Sequence, residues 1–84
     1  MTLRLTTTQD AHGSLIKADG RLDTEVLQEF LSVCEGAPGP LRLDLSELLG
    51  ADTAGITSLK GLRDSGVELV HVRPFLKMLI ERDP

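Results

Sequence analysis

Apolar and polar residues alternate along this chain with two different periods, and the changes between them mark out its elements. Leu3 and Leu5 flank Arg4, which predicts a strand over residues 2–7. Gln9 to Gly13 is turn material, and Ser14 to Ala18 predicts a second strand that completes a hairpin. Asp19-Gly20 reads as another turn, after which Arg21, Leu22 and Asp23 lead into a helix capped by Asp23 or Thr24. From Thr24 to Glu35 the period lengthens. Val26, Leu27, Phe30, Leu31 and Cys34 share one face, with Glu25, Gln28, Glu29 and Ser32 on the other. Gly36, Pro38 and Pro40 stop that helix.

Leu41, Leu43 and Leu45 restore the period of two, with Arg42 and Asp44 between them, and predict a strand over Leu41–Leu45. A short acidic loop over Ser46–Ala51 then leads to a helix from Thr53 to about Ser65, with Asp52 as its N-cap. Ala54, Ile56, Leu59 and Leu62 form a thin apolar stripe on it. Gly55 and Gly61 each weaken it by about 1 kcal/mol against Ala, which predicts close approach of this helix to the sheet. Val67 to Val72 predicts an interior strand, and Pro74 opens a last helix turning Phe75, Met78 and Leu79 inward, with Leu76 and Ile80 as further inward candidates. The order β-β-α-β-α-β-α gives an α/β fold: a small mixed four-stranded sheet, mostly parallel, with an antiparallel first strand at its edge and helices packed on it.

At 84 residues the chain is expected to be a single domain, residues 1–84, burying roughly 60–65% of its unfolded surface. Apolar residues make up 40%, almost all aliphatic, which predicts a folded core rather than disorder. The net charge of −4 and the absence of a Lys/Arg cluster argue against nucleic acid as a partner. No apolar run approaches the about 18 residues that cross a bilayer, and the first residues lack the apolar core of a signal peptide. The expected location is the cytoplasm, without direct membrane insertion. The single cysteine, Cys34, falls on the apolar phase of a helix and reads as a buried, inert thiol. His12 and His71 have no ligand partners at metal-binding spacing, and no Gly-rich phosphate loop or nucleophile elbow is found, so no metal or cofactor is expected.

Four segments, in order, resemble the STAS domain, the fold of bacterial anti-sigma-factor antagonists. Ala18-Asp-Gly-Arg-Leu-Asp23 resembles the family's G-x-L-D before the first helix, and Leu41-Arg-Leu-Asp-Leu-Ser46 its hydrophobic-x-L-D-L-S strand. Asp52-Thr-Ala-Gly55 resembles the D-S-S-G turn into the second helix, and Gly66-Val-Glu-Leu-Val70 the G-x-x-L-x entry to the next strand. The resemblance implies a non-enzymatic protein-binding module in transcription regulation, whose partner is an anti-sigma factor or kinase-like regulator. In that family a hydroxyl at the third position of D-S-S-G is phosphorylated, and the added charge weakens docking. Here that position is Ala54, which has no hydroxyl, and Thr53 is the remaining candidate phosphoacceptor. Some STAS proteins that serve as small subunits of lipid-transport ATPase complexes also place Thr after the Asp, which gives an alternative role. The chain stops at Pro84, where many members continue, so a partner or a second copy of the chain, as a homodimer, is expected to cover what is left open.

The residues assigned to partner binding are Asp23, Asp44, Glu47, Leu49, Asp52, Thr53 and Ile56. Helices that follow parallel strands start at the sheet's carboxyl end, which would gather these acidic side chains into one patch. Leu48, Leu49 and Ile56 would supply its apolar centre. Each also has a plainer explanation: Asp52 and Asp23 as caps, Asp44 as a solvated strand exit or the anchor of the loop after it, Thr53 as an ordinary first-turn residue. A third reading, a small hydrolase or phosphotransfer enzyme built on Asp44 and Asp52, lacks a polar set to line a pocket.

Overall fold

The computed structural model describes Leu3–Arg82; Thr2, where the first expected strand begins, lies outside the described residues. β1 (Leu3–Asp10) and β2 (Gly13–Leu22) form a continuous antiparallel hairpin, Leu3 opposite Gly20 and Asp10 opposite Gly13. The turn is tied by the His12 N–H, which donates to Asp10 Oδ1 at 2.7 Å. Both strands outrun their expected lengths. β1 continues through Thr8, Gln9 and Asp10, paired in register with Leu15, Ser14 and Gly13. β2 runs straight through the expected Asp19-Gly20 turn, because Ala18 and Leu22 both point into the core and hold the strand on either side. Gly20 instead sits beside a register shift, at a φ of 111° that an L side chain rarely adopts.

β3 (Leu41–Asp44) lies parallel to the first half of β2, with Ile16 opposite Leu43. The stretch after it is not all loop. β4 (Leu48–Ala51) lies parallel to the second half of β2, with Gly20 opposite Leu48 and Leu22 opposite Ala51. β3 and β4 are thus two pieces of one interrupted strand on the same flank of β2, and the Gly20 N–H donates to Glu47 O at 3.2 Å near the break. A fifth short strand is therefore added to the four expected. The order is β1-β2-β3-β5, with β4 beside β2. β5 (Glu68–Val70) pairs with β3 alone, so it is an edge rather than the interior strand its apolar content suggested. Val67, Leu69 and Val72 are partly buried and pack against the shared core, which accounts for the apolar content of this edge.

Three helices, α1 (Thr24–Gly36), α2 (Thr53–Asp64) and α3 (Pro74–Glu81), share one core with the sheet. Phe30 and Cys34 of α1 and Leu59 of α2 meet Leu3, Ile16, Leu22, Leu43, Leu45 and Leu48. In α3 the inward phase differs from the expected one: Leu76 and Ile80 are buried, whereas Phe75 is 38% and Met78 64% exposed. Every residue from Phe75 to Ile80 except Lys77 is apolar, so spacing within eight residues could not choose the face.

The two parallel crossovers run in one direction along the sheet, so the right-handed rule puts α1 and α2 on one face, and α3 joins them there through buried Leu76 and Ile80. Charged residues fill the other face in opposed neighbours across the strands: Arg4 with Asp19, Lys17 with Asp44, Arg42 with Glu68.

Candidate functional site

α1 and α2 both begin at the carboxyl end of the sheet, and a single side chain joins their first turns. Asp52 Oδ1 accepts the Gly55 N–H at 2.8 Å, the ordinary N-cap bond of α2. Its other oxygen, Oδ2, accepts both the N–H (3.0 Å) and the hydroxyl (2.9 Å) of Thr24 at the start of α1. The Asp52 N–H in turn donates to Leu22 O at 3.1 Å, fixing the cap to the end of β2. Asp23 completes the arrangement by capping α1, accepting the N–H groups of Glu25 and Val26 at 3.1 and 3.3 Å. Two helix N-termini converge here, and their dipoles favour the carboxylates that close them. The Asp52 carboxyl is held below the usual carboxylate value, chiefly by the Gly55 N–H and further by Thr24.

Gly55 makes this junction sterically feasible. A Cβ there would stand 2.5 Å from Leu22 O and 3.1 Å from Leu22 Cγ, so the first turn of α2 lies directly against the end of β2. Gly61 shares no such role: a Cβ there meets nothing within 4 Å, so the close approach expected of both glycines holds at Gly55 alone.

The other assigned residues divide into two groups. Thr53, the first residue of α2, is exposed, and Leu49 projects from β4 at 62% exposure. Ile56 is half-buried against the core, and Glu47 is exposed in the link between β3 and β4. Leu48 is fully buried and belongs to the core instead of the surface centre expected of it; the alternation of β4 turns Leu48 in and Leu49 out. Asp44 stands apart from the Asp23–Asp52 pair. It follows buried Leu43 on β3, lies opposite Lys17 and so faces the bare side of the sheet. Burial there would raise its pKa, but the Ser46 N–H donated to Oδ1 at 2.9 Å, with His71 and Lys17 nearby, lowers it overall. Asp44 thus anchors the link between β3 and β4. His71, just after β5, has a positive φ of 54°, an uncommon left-handed backbone for a residue other than glycine.

Two contributors to this region went unassigned in the sequence. Thr24 bonds to Asp52 from 28 residues away, a separation with no local signature. The Arg21 guanidinium lies over Gly50, 3.3 Å from where a Cβ would stand, and brings a cation to an end read as purely acidic.

Among the described residues no group of three or more His, Cys, Asp or Glu side chains could hold a metal ion, and no helix is long and apolar enough to cross a membrane. A cavity of about 490 Å³ lies between β5 and α3 over Val67, Leu69, Val72 and Ile80, and neither Asp44 nor Asp52 lines it. Cys34 is buried, and desolvation pushes its thiol pKa up to about 11, which suits an inert core residue.

No protein-family model matches the chain, and no curated protein matches it. Among solved structures, the chain is similar to the antisigma-factor antagonist STAS domain from Rhodobacter sphaeroides. The TM-score is 0.60 at 17% identity, over 81% of this chain and 83% of that one. The fold is STAS-like.

Proposed function

We propose that this protein is a non-enzymatic regulator of the anti-sigma-factor-antagonist type, which docks on a cytoplasmic protein partner through the start of α2. The observation that carries this is the junction at Asp52. It ties two helix N-termini together, with Thr53 exposed at the start of α2 and Leu49 projecting from the preceding β4. A rigid polar rim next to a projecting apolar side chain suits protein recognition, where a few buried anchors carry most of the affinity. The similar Rhodobacter sphaeroides domain carries the antagonist description, and neither Asp44 nor Asp52 lines the cavity of about 490 Å³ between β5 and α3. Ala54 occupies the position at which the D-S-S-G turn carries its phosphoacceptor, so binding here is not switched off in the usual way.

The test is calorimetric titration against the kinase-like anti-sigma factor of the same organism. Thr53→Glu and Leu49→Asp each weaken binding by about tenfold or more, with the circular dichroism spectrum unchanged. Normal binding by both variants overturns the proposed face, and no binding by the native chain overturns the antagonist reading. Incubated with that kinase and ATP, Ala54→Ser takes up phosphate at the new hydroxyl whereas the native chain does not; labelling of the native chain would point to Thr53.

A further inference from the structure

The two edges of the sheet are unequal. β5 offers three residues, while β1 offers eight, Leu3–Asp10, with no proline, glycine, lysine or bulge along it. Such a strand is a ready template for another chain. The direction of its free backbone groups follows from β2. Ser14 N–H donates to Pro40 O and Gly20 N–H to Glu47 O, so the even-numbered residues of β2 bond toward β3 and β4. Its odd-numbered residues therefore bond to β1, where the register gives them Arg4, Thr6, Thr8 and Asp10. The N–H and C=O groups of Leu3, Leu5, Thr7 and Gln9 then point off the open edge.

We propose that β1 pairs antiparallel with β1 of a second copy of this chain, centred on Thr7, to join the two sheets into one. The register is chosen by charge. About Thr7, Arg4 faces Asp10 of the partner subunit at both ends of the ribbon, and Thr6 faces Thr8 of the partner subunit. These are non-hydrogen-bonded pairs, in which side chains stand closest. The same register opposes Thr7 to Thr7 of the partner subunit and Leu5 to Gln9 of the partner subunit, all with outward backbone groups, so donors meet acceptors throughout. Thr6 to Asp10 are exposed. The Asp10 carboxylate already holds the His12 N–H and pairs with Arg42 at 3.3 Å, yet its side chain is 54% exposed, so Arg4 of the partner subunit would share it. On the helix side a groove of about 270 Å³ runs along the same edge over Leu3, Leu5, Val26, Phe30 and Val33, which adds apolar surface for the second copy to cover.

Sedimentation equilibrium across micromolar to millimolar concentrations tests this, independently of any sigma regulator. The native chain shows a monomer–dimer equilibrium, and Thr7→Pro is monomeric with an unchanged spectrum, since that N–H serves no bond within the sheet. Arg4→Asp and Asp10→Arg each set like charges against one another at both ends and weaken the dimer about tenfold. An equimolar mixture of these two variants regains native dimer affinity, because every end then pairs Asp with Arg. A native chain that stays monomeric, or a dimer indifferent to Thr7→Pro, overturns the proposal. Failure of the mixture to recover overturns the register.

Discussion

The two ends of α2 differ in what they tolerate. At the first turn, Asp52 bonds to two helices, its own N–H holds the end of β2, and Gly55 leaves no room for a methyl group. At the last turns Gly61 faces open space, and Ser65 closes the helix by donating its hydroxyl to Leu62 O at 2.8 Å within the same turn. One end is specified by close backbone packing against β2 and α1, whereas the other is closed by its own turn and tied by long side chains, Lys60 to Arg82 O at 2.6 Å and Arg63 to Ile80 O at 3.4 Å. A helix with a thin apolar stripe is thus held without tolerance for added atoms where it meets the sheet, and by longer, more forgiving side chains at its far end.

Substitutions that add the same atom at each end break this comparison most directly. Gly55→Ala forces backbone apart at Leu22 and costs roughly 2–3 kcal/mol, read as a shift in the denaturant midpoint. An unchanged midpoint would mean that the first turn is not packed as described. Asp52→Asn, an ordinary exchange at an N-cap, lowers Tm by several degrees here. The Asp52 oxygens face donors on both sides, and an amide offers an acceptor to only one.

The same carboxylate sets an acid limit. The pKa values of Asp52 and Asp44 are lowered in the folded protein, so their stabilisation is fully present above the ordinary Asp value of about 3.9. It fades as pH falls below that value, through the depressed folded values. Melting curves between neutral and acid pH show this loss, and Asp52→Asn flattens it. The smallest effect has the opposite sign. Gly61→Ala stabilises by roughly 0.5–1 kcal/mol, since it relieves a helix-interior glycine without meeting a neighbour.

Much of this architecture is legible in the sequence. The period of α1, the alternation of β3 and the cap at Asp52 are local signals, readable because each element contains most of the residues that define it. Misreadings arose where the deciding contact was distant. Asp19-Gly20 has the composition of a turn, yet the packing of Leu22 keeps β2 extended through it. The Leu48–Ala51 stretch carries no strand signal of its own and becomes β4 only because the second half of β2 is free to pair. The phase of α3 was undetermined for the reverse reason, since an almost wholly apolar turn offers no polar face to orient it.

The candidate site follows the same division. That Asp23 and Asp52 cap helices, and that Ala54 lacks a hydroxyl, are properties of short stretches of chain. Sequence by itself determined them, because caps and side-chain chemistry act over three or four residues. That Asp52 also holds Thr24, that Asp44 faces the bare side of the sheet, and that Leu48 is buried while Leu49 projects were decided only by the tertiary structure. Each depends on which strands lie side by side, and the pairing of β2 with both β3 and β4 is settled by burial across the whole core.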